Sequence, residues 1–242
     1  MKKIISTLSH KWPEYLIEAI VIVASILGAF ALENWSQDNQ IKKRSADLLY
    51  ALKKEYQSNK SQLERGMVLH EYVQHSSHEL IRLIHTGEKV PVDTLKSLIA
   101  RTGWLFTFDP QNSSLTSAIS SGDIHAIENE ELKEELLGWI DLSKDVQEEE
   151  LLAQSNYYSF FYPFTLKYIS WTELSGFYYS GFKTQSPYAS DYKAMVYNRD
   201  FENLIAMRYE NTLEILKEMQ PILNKNNLIL ELIEKELNRM EE

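Results

Sequence analysis

Hydrophobic residues follow two different patterns along the first third of this chain. From Tyr15 to Leu32 they run almost without a break, interrupted only by Glu18 and Ser25, and such a run is long enough for a helix across a bilayer. From Gln37 to Thr86 they thin to steps of three and four: Leu49, Leu52, Tyr56, Asn59, Leu63, Gly66, His70, Val73, Ser77, Leu80 and Ile84. That spacing places them on one face of a long helix. Nothing between Trp35 and Gln40 would stop a helix, so span and stripe are predicted to form one rigid stalk with Gly66 as its weakest point. The polar members of the stripe argue for packing against other helices of the same chain rather than for an autonomous coiled coil.

Beyond the stripe, Gly87 and Pro91 close the helix. A short helix is expected from Val92 to Arg101, and Trp104 to Phe108 reads as a short strand or a buried connector. Ser113 or Ser114 can cap a helix ended by Gly122, and Asn129 the next, with Glu130 and Glu131 favourably placed at its dipole. That helix continues through Leu132, Leu136, Trp139, Ile140, Val146 and Leu151 until Pro163 interrupts it. Asp200 or Asn203 starts the last helix, which Pro221 should kink. The predicted fold is all-α, with an N-terminal transmembrane helix continuous with a stalk helix and an antiparallel helical-bundle soluble domain. The expected organisation is a short tail over 1–13, a transmembrane signal anchor over 14–35 and a helical soluble domain over 36–242.

Composition narrows the chemistry. The chain has no Cys, which removes thiol catalysis, disulfide staples and Cys-ligated metal sites. Only 8 Gly and 6 Pro in 242 residues favour long helices over a turn-rich β fold. Residues 1–35 carry three basic and three acidic side chains, so the whole net charge of −10 belongs to residues 36–242. Such a surface repels nucleic acid, which is not expected as a partner.

Trp12 and Trp35 bracket the apolar run. They are about 35 Å apart along a helix, which sets one indole in each headgroup region of the lipid bilayer. Ala29-Phe30-Ala31 has the small-x-small form of a signal peptidase site, but the run is long for a signal-peptide core, and an uncleaved anchor fits better. Lys2, Lys3 and Lys11 before the span nearly balance Lys42, Lys43 and Arg44 after it. The acidic exit with Glu33 and Asp38 tips the orientation toward a cytoplasmic N-terminus. Within the span, Ala24 and Gly28, and Ser25 and Ala29, set small residues on adjoining faces where helices can approach closely. Glu18 is the intramembrane ionisable residue and lies two turns from Ser25, near the same face.

The anchor resembles that of a family of bacterial single-pass membrane proteins catalogued only as a domain of unknown function. In that family the anchor typically reads Gly-Glu-Ile, an apolar run with a central Gly, then Asn-Asn-Trp-Asn. Here Glu18 precedes Trp35 by the same 17 residues, and Asn34-Trp35 is in place. Ile17 replaces the first Gly, Ser25 the central Gly, and Glu33 the first Asn. A second similar stretch is Ile119-Ser120-Ser121-Gly122-Asp123-Ile124 followed by Ile127 to Leu132. The resemblance implies a membrane-anchored helical protein in the bacterial inner (cytoplasmic) membrane and supplies no reaction.

Residues 157–182 concentrate aromatics, among them Tyr157, Tyr158, Phe160, Phe161, Tyr162, Phe164, Trp171 and Phe177. Such density serves a core, a partner surface, a sugar platform or an interfacial membrane contact. Tyr157, Tyr158, Phe161 and Trp171 are the candidate partner or ligand surface. Glu71, His75 and His78 share a helical face, with His85 further along, a weak metal pattern that lacks a second ligand-bearing helix. No phosphate loop, nucleophile elbow or His-Glu-x-x-His is present. No metal site, cofactor or catalysis is inferred. The expected function is a homo-oligomeric membrane-anchored scaffold or partner-binding protein, with the soluble domain in the periplasm. The alternatives are an extracytoplasmic ligand sensor with an aromatic pocket, or a small ion or proton pathway of several anchors around Glu18.

Overall fold

The structure is a computed structural model that describes residues 2–175 and 186–241. The first helix, α1, runs Lys2–Thr86 as one element of 85 residues, about 128 Å at the helical rise. It takes in residues 2–13, the apolar span and the stripe without interruption. Of the stripe, Leu49, Leu52, Tyr56, Asn59, Leu63, Gly66, His70, Val73, Ser77 and Leu80 are buried and Ile84 is half-buried. Gly66 is not a weak point. A Cβ there would stand 2.3 Å from Cε1 of Phe106 and 2.9 Å from Cε of Met219, so the missing side chain seats a ring.

Among the described residues seven further α-helices follow: α2 (Val92–Thr102), α3 (Ser113–Ser121), α4 (Glu130–Asn156), α5 (Tyr162–Thr165), α6 (Trp171–Ser175), α7 (Tyr192–Val196) and α8 (Arg199–Glu241). No strand occurs among the described residues, and the segment between α2 and α3 is an irregular connector with Phe108 buried. Gly122 ends α3 in the left-handed region at φ 81°, a conformation open to glycine at little cost. Asn129 caps α4, its Oδ1 accepting from the Leu132 amide at 3.0 Å. The start of α3 is capped from another helix: Oε1 of Glu55 accepts from the Ser114 amide at 2.8 Å and from the hydroxyls of Ser113 and Ser114. α8 begins one residue before Asp200, whose amide donates to Oδ1 of Asn198 at 2.8 Å. It continues through Pro221 as one helix.

Pro163 acts less abruptly than expected. Tyr157–Phe161 form a π turn after α4, and α5 follows with Pro163 in its first turn. Proline cannot donate to the carbonyl four residues back and clashes with it; a widened turn just before it lets the helical path continue.

Three long helices make the bundle. From Ser45 onward α1 climbs away from the span, the connector descends beside it, α4 climbs again, and α8 descends antiparallel to both. One core lies in the lower bundle around Tyr56, Phe108, Trp139, Ile215 and Met219. A second lies at the far end around Leu80, Ile99, Phe161, Met195, Phe201 and Ile205. Tyr15 to Leu32 contribute to neither: the best apolar window has mean hydropathy 2.3 and none of it is buried.

Candidate functional site

The connector explains much of the buried polarity. A non-helical segment inside a bundle has backbone groups that nothing in the regular ladders can satisfy. Here side chains from all three long helices supply the partners. From α8, Arg208 donates through Nε to the Thr102 carbonyl at 3.0 Å and through Nη2 to the Trp104 carbonyl. From α4, Oε2 of Glu150 accepts from the Phe108 amide at 2.6 Å and Gln147 donates to the Phe108 carbonyl at 3.0 Å. From α1, Asn59 pairs with both backbone groups of Gln111. Trp139 completes the set by donating from Nε1 to Oδ1 of Asn112 at 2.8 Å. The other oxygen of Glu150 faces Nε2 of His70 at 3.3 Å, with both residues buried.

Arg208 is 3% exposed. Burial lowers its pKa to about 10, against a smaller upward pull from the Tyr157 phenol, so it remains charged at neutral pH. The Tyr157 ring covers the guanidinium, with the carbon centre 5.8 Å from the ring centroid, a cation–π arrangement.

Tyr157 also lines a groove of about 440 Å³. Tyr157, Tyr158 and Tyr162 come from the π turn and α5, Trp171 and Leu174 from α6, and Leu69, Ala100, Gly103, Trp104 and Leu105 from α1, α2 and the connector. The wider π turn spaces Tyr157 and Phe161 four residues apart on the buried face and leaves Tyr158 and Phe160 outward. Tyr162 and Trp171 meet edge to face at 4.9 Å, as do Tyr157 and Tyr158 at 5.2 Å, the preferred geometry for aromatic pairs. Gly103 leaves room in the floor: a Cβ there would stand 3.3 Å from the Tyr157 hydroxyl and 3.3 Å from the Ala100 carbonyl oxygen. Burial pushes the Tyr157 phenol up to about 12, which keeps it a proton donor across the physiological range.

The aromatic surface expected from sequence therefore divides. Tyr158 at 56% and Trp171 at 37% exposure face outward, whereas Tyr157 at 5% and Phe161 at 3% belong to the packed interior, Tyr157 also reaching the groove. Phe161 stacks on Tyr157 and meets the tilted Phe201 ring at 6.2 Å rather than lining a surface. Phe177 lies outside the described residues. Trp104 and Tyr162, expected in the connector and the aromatic stretch, join the groove as well, and Gly103 and Arg208 were not anticipated there. Arg208 left a signal, a charged residue on the apolar stripe between Ile205 and Thr212.

The residues singled out in and around the apolar run stand apart from this site. Trp12 and Trp35 are exposed at either end of the span, and Glu18, Ala24, Ser25, Gly28 and Ala29 are exposed between them. Ser25 donates its hydroxyl to the Val21 carbonyl at 2.7 Å, which satisfies it within its own helix. A Cβ at Gly28 would meet nothing within 4 Å. Glu71, His75, His78 and His85 are exposed on α1. His85 pairs with Glu202 at 2.7 Å and His78 lies 6.0 Å from the Tyr209 ring. Among the described residues no three His, Asp or Glu side chains converge as a metal site. No protein-family model, curated protein or solved structure matches the chain.

Proposed function

We propose that this chain is a single-pass membrane-anchored scaffold or partner-binding protein, homo-oligomeric through its anchor and without catalysis of its own. The observation that carries the reading is the contrast along α1. Its stripe from Leu49 to Leu80 is covered by α2, α4, α8 and the connector, while Tyr15 to Leu32 have no protein cover at all. Apolar surface of that extent calls for a lipid environment or other helices. The tryptophan bracket and the resemblance of the anchor support a bacterial inner membrane, and the acidic exit supports a periplasmic bundle. Small residues at Ala24, Ser25, Gly28 and Ala29 favour close approach of like spans. The test is the stoichiometry of the full chain in nanodiscs, read together with any protein that copurifies. More than one copy per disc, or a stoichiometric partner, is the expected result; a solitary monomer overturns the reading.

A second reading, an extracytoplasmic ligand sensor acting through a partner, is favoured by the groove. Its aromatic lining sits beside Leu69 on α1, so an occupant would touch the helix that enters the membrane. An ion or proton pathway around Glu18 would need several spans to bring carboxyls together, and the same preparation tests it.

A further inference from the structure

We propose that the distal groove binds a small, flat, uncharged aromatic molecule that presents a hydrogen-bond acceptor to the Tyr157 phenol. This deepens the ligand-sensing reading and rests on it. Three features define the class. The volume of about 440 Å³ falls in the range of small-molecule sites. The lining offers ring faces and edges from Tyr158, Tyr162 and Trp171 and apolar surface from Leu69 and Leu174, with no charged side chain among the described residues. Taking an unpaired ligand charge into such a place is costly, and a net charge of −10 further disfavours anions.

The third feature is Tyr157 itself. It is 5% exposed, and its hydroxyl stands at the groove, 3.3 Å from where a Cβ on Gly103 would lie, with no acceptor among the described residues. A phenol so placed has its proton free to donate to an occupant of the groove. A ligand carbonyl at the floor can accept from it, and the guanidinium over the ring is already committed to the Thr102 and Trp104 carbonyls. A sugar fits poorly, because its many hydroxyls would outnumber the three phenols able to pair with them.

The experiment titrates 7-methoxycoumarin, which is flat, neutral and bears a carbonyl, into the full chain in nanodiscs, with empty nanodiscs as reference. Coumarin-3-carboxylate serves as the anionic counterpart. Saturable binding of the neutral compound at one site per chain is expected, with the anion at least about tenfold weaker. Tyr157→Phe keeps the ring and removes the donor, and should weaken binding about fivefold. Trp171→Ala removes an exposed wall and should weaken it about three- to tenfold; unchanged thermal unfolding of both variants separates lost binding from lost folding. Equal affinity in Tyr157→Phe, or preference for the anion, overturns the ligand class and leaves the sensing reading standing. Saturable binding of neither compound overturns both.

Discussion

The side-chain amide of Asn59 pairs with the backbone of Gln111 as one β-strand residue pairs with another: its Oδ1 accepts from the Gln111 amide at 2.7 Å and its Nδ2 donates to the Gln111 carbonyl at 3.0 Å. Asn59 is fully buried on α1, so it ties the connector to the stalk. Asn59→Ala leaves two backbone groups unpaired, and we expect a loss of about 2–4 kcal/mol in unfolding free energy. Asn59→Asp should also destabilise, because a carboxylate oxygen would face the Gln111 carbonyl. Denaturant unfolding followed by circular dichroism measures both.

Helix propensity alone says that Gly66→Ala should stabilise α1 by about 1 kcal/mol. The packing reverses the sign, since the new methyl would enter the Phe106 ring, and overpacking of this kind costs about 1–3 kcal/mol. A destabilised single variant, partly restored by adding Phe106→Leu, is the expected pattern. A more stable Gly66→Ala protein would show that the connector is not seated there.

Alkaline pH should unfold the bundle. Burial raises the phenols of Tyr157 and Tyr192 to about 12 and holds that of Tyr56 higher still. Each folded-state value exceeds that of the unfolded chain, so the folded state binds more protons above the ordinary phenol value near 10. Stability is therefore full below about pH 10 and is lost as pH rises toward 12. Arg208 acts oppositely, its lowered pKa favouring the folded state as pH rises above about 10, but one guanidinium opposes three phenols. Absorbance at 295 nm should show a late group of tyrosines that ionise only as the circular dichroism signal collapses.

In the anchor, Gly28→Leu should disperse an oligomer packed through the small-residue face, because the added side chain holds backbones apart. Glu18→Gln keeps size and hydrogen bonding but removes ionisation. The oligomer should survive it, while any pH dependence of assembly or conductance disappears. An oligomer indifferent to Gly28→Leu would move the interface out of the span. Unaltered pH responses in Glu18→Gln would remove the ion-pathway reading.

The stalk was legible because one periodic signal governs it: ten of the eleven stripe positions are buried and the last is half-buried. Caps at Asn129 and Gly122 were legible for the same reason, since each acts on its own neighbours. The connector was not. Glu150, Gln147, Arg208 and Asn59 bond to backbone atoms 39 to 106 residues away, and no local pattern announces such a partner. The one local trace is Glu150 itself, a carboxylate between Val146 and Ala153 on the buried face of α4. The aromatic stretch was misdivided because the π turn breaks the period that would have told inward from outward.

The unbroken course of α1 fixes a compass bearing as well as a distance. Leu69 in the groove stands about 50 Å beyond Trp35 along the helix, so a bilayer around Tyr15 to Leu32 would lie beyond the reach of these aromatics. Because no joint lies between, whichever way the small-residue face of the span points, the groove points at a set angle to it. Two residues inserted between Trp35 and Ser45 would swing the groove by about 200°, whereas seven would return it almost to its first heading about 10 Å higher. In an assembly locked at the anchors, that angle decides whether neighbouring grooves face one another across the central axis or look outward like the numerals on a dial.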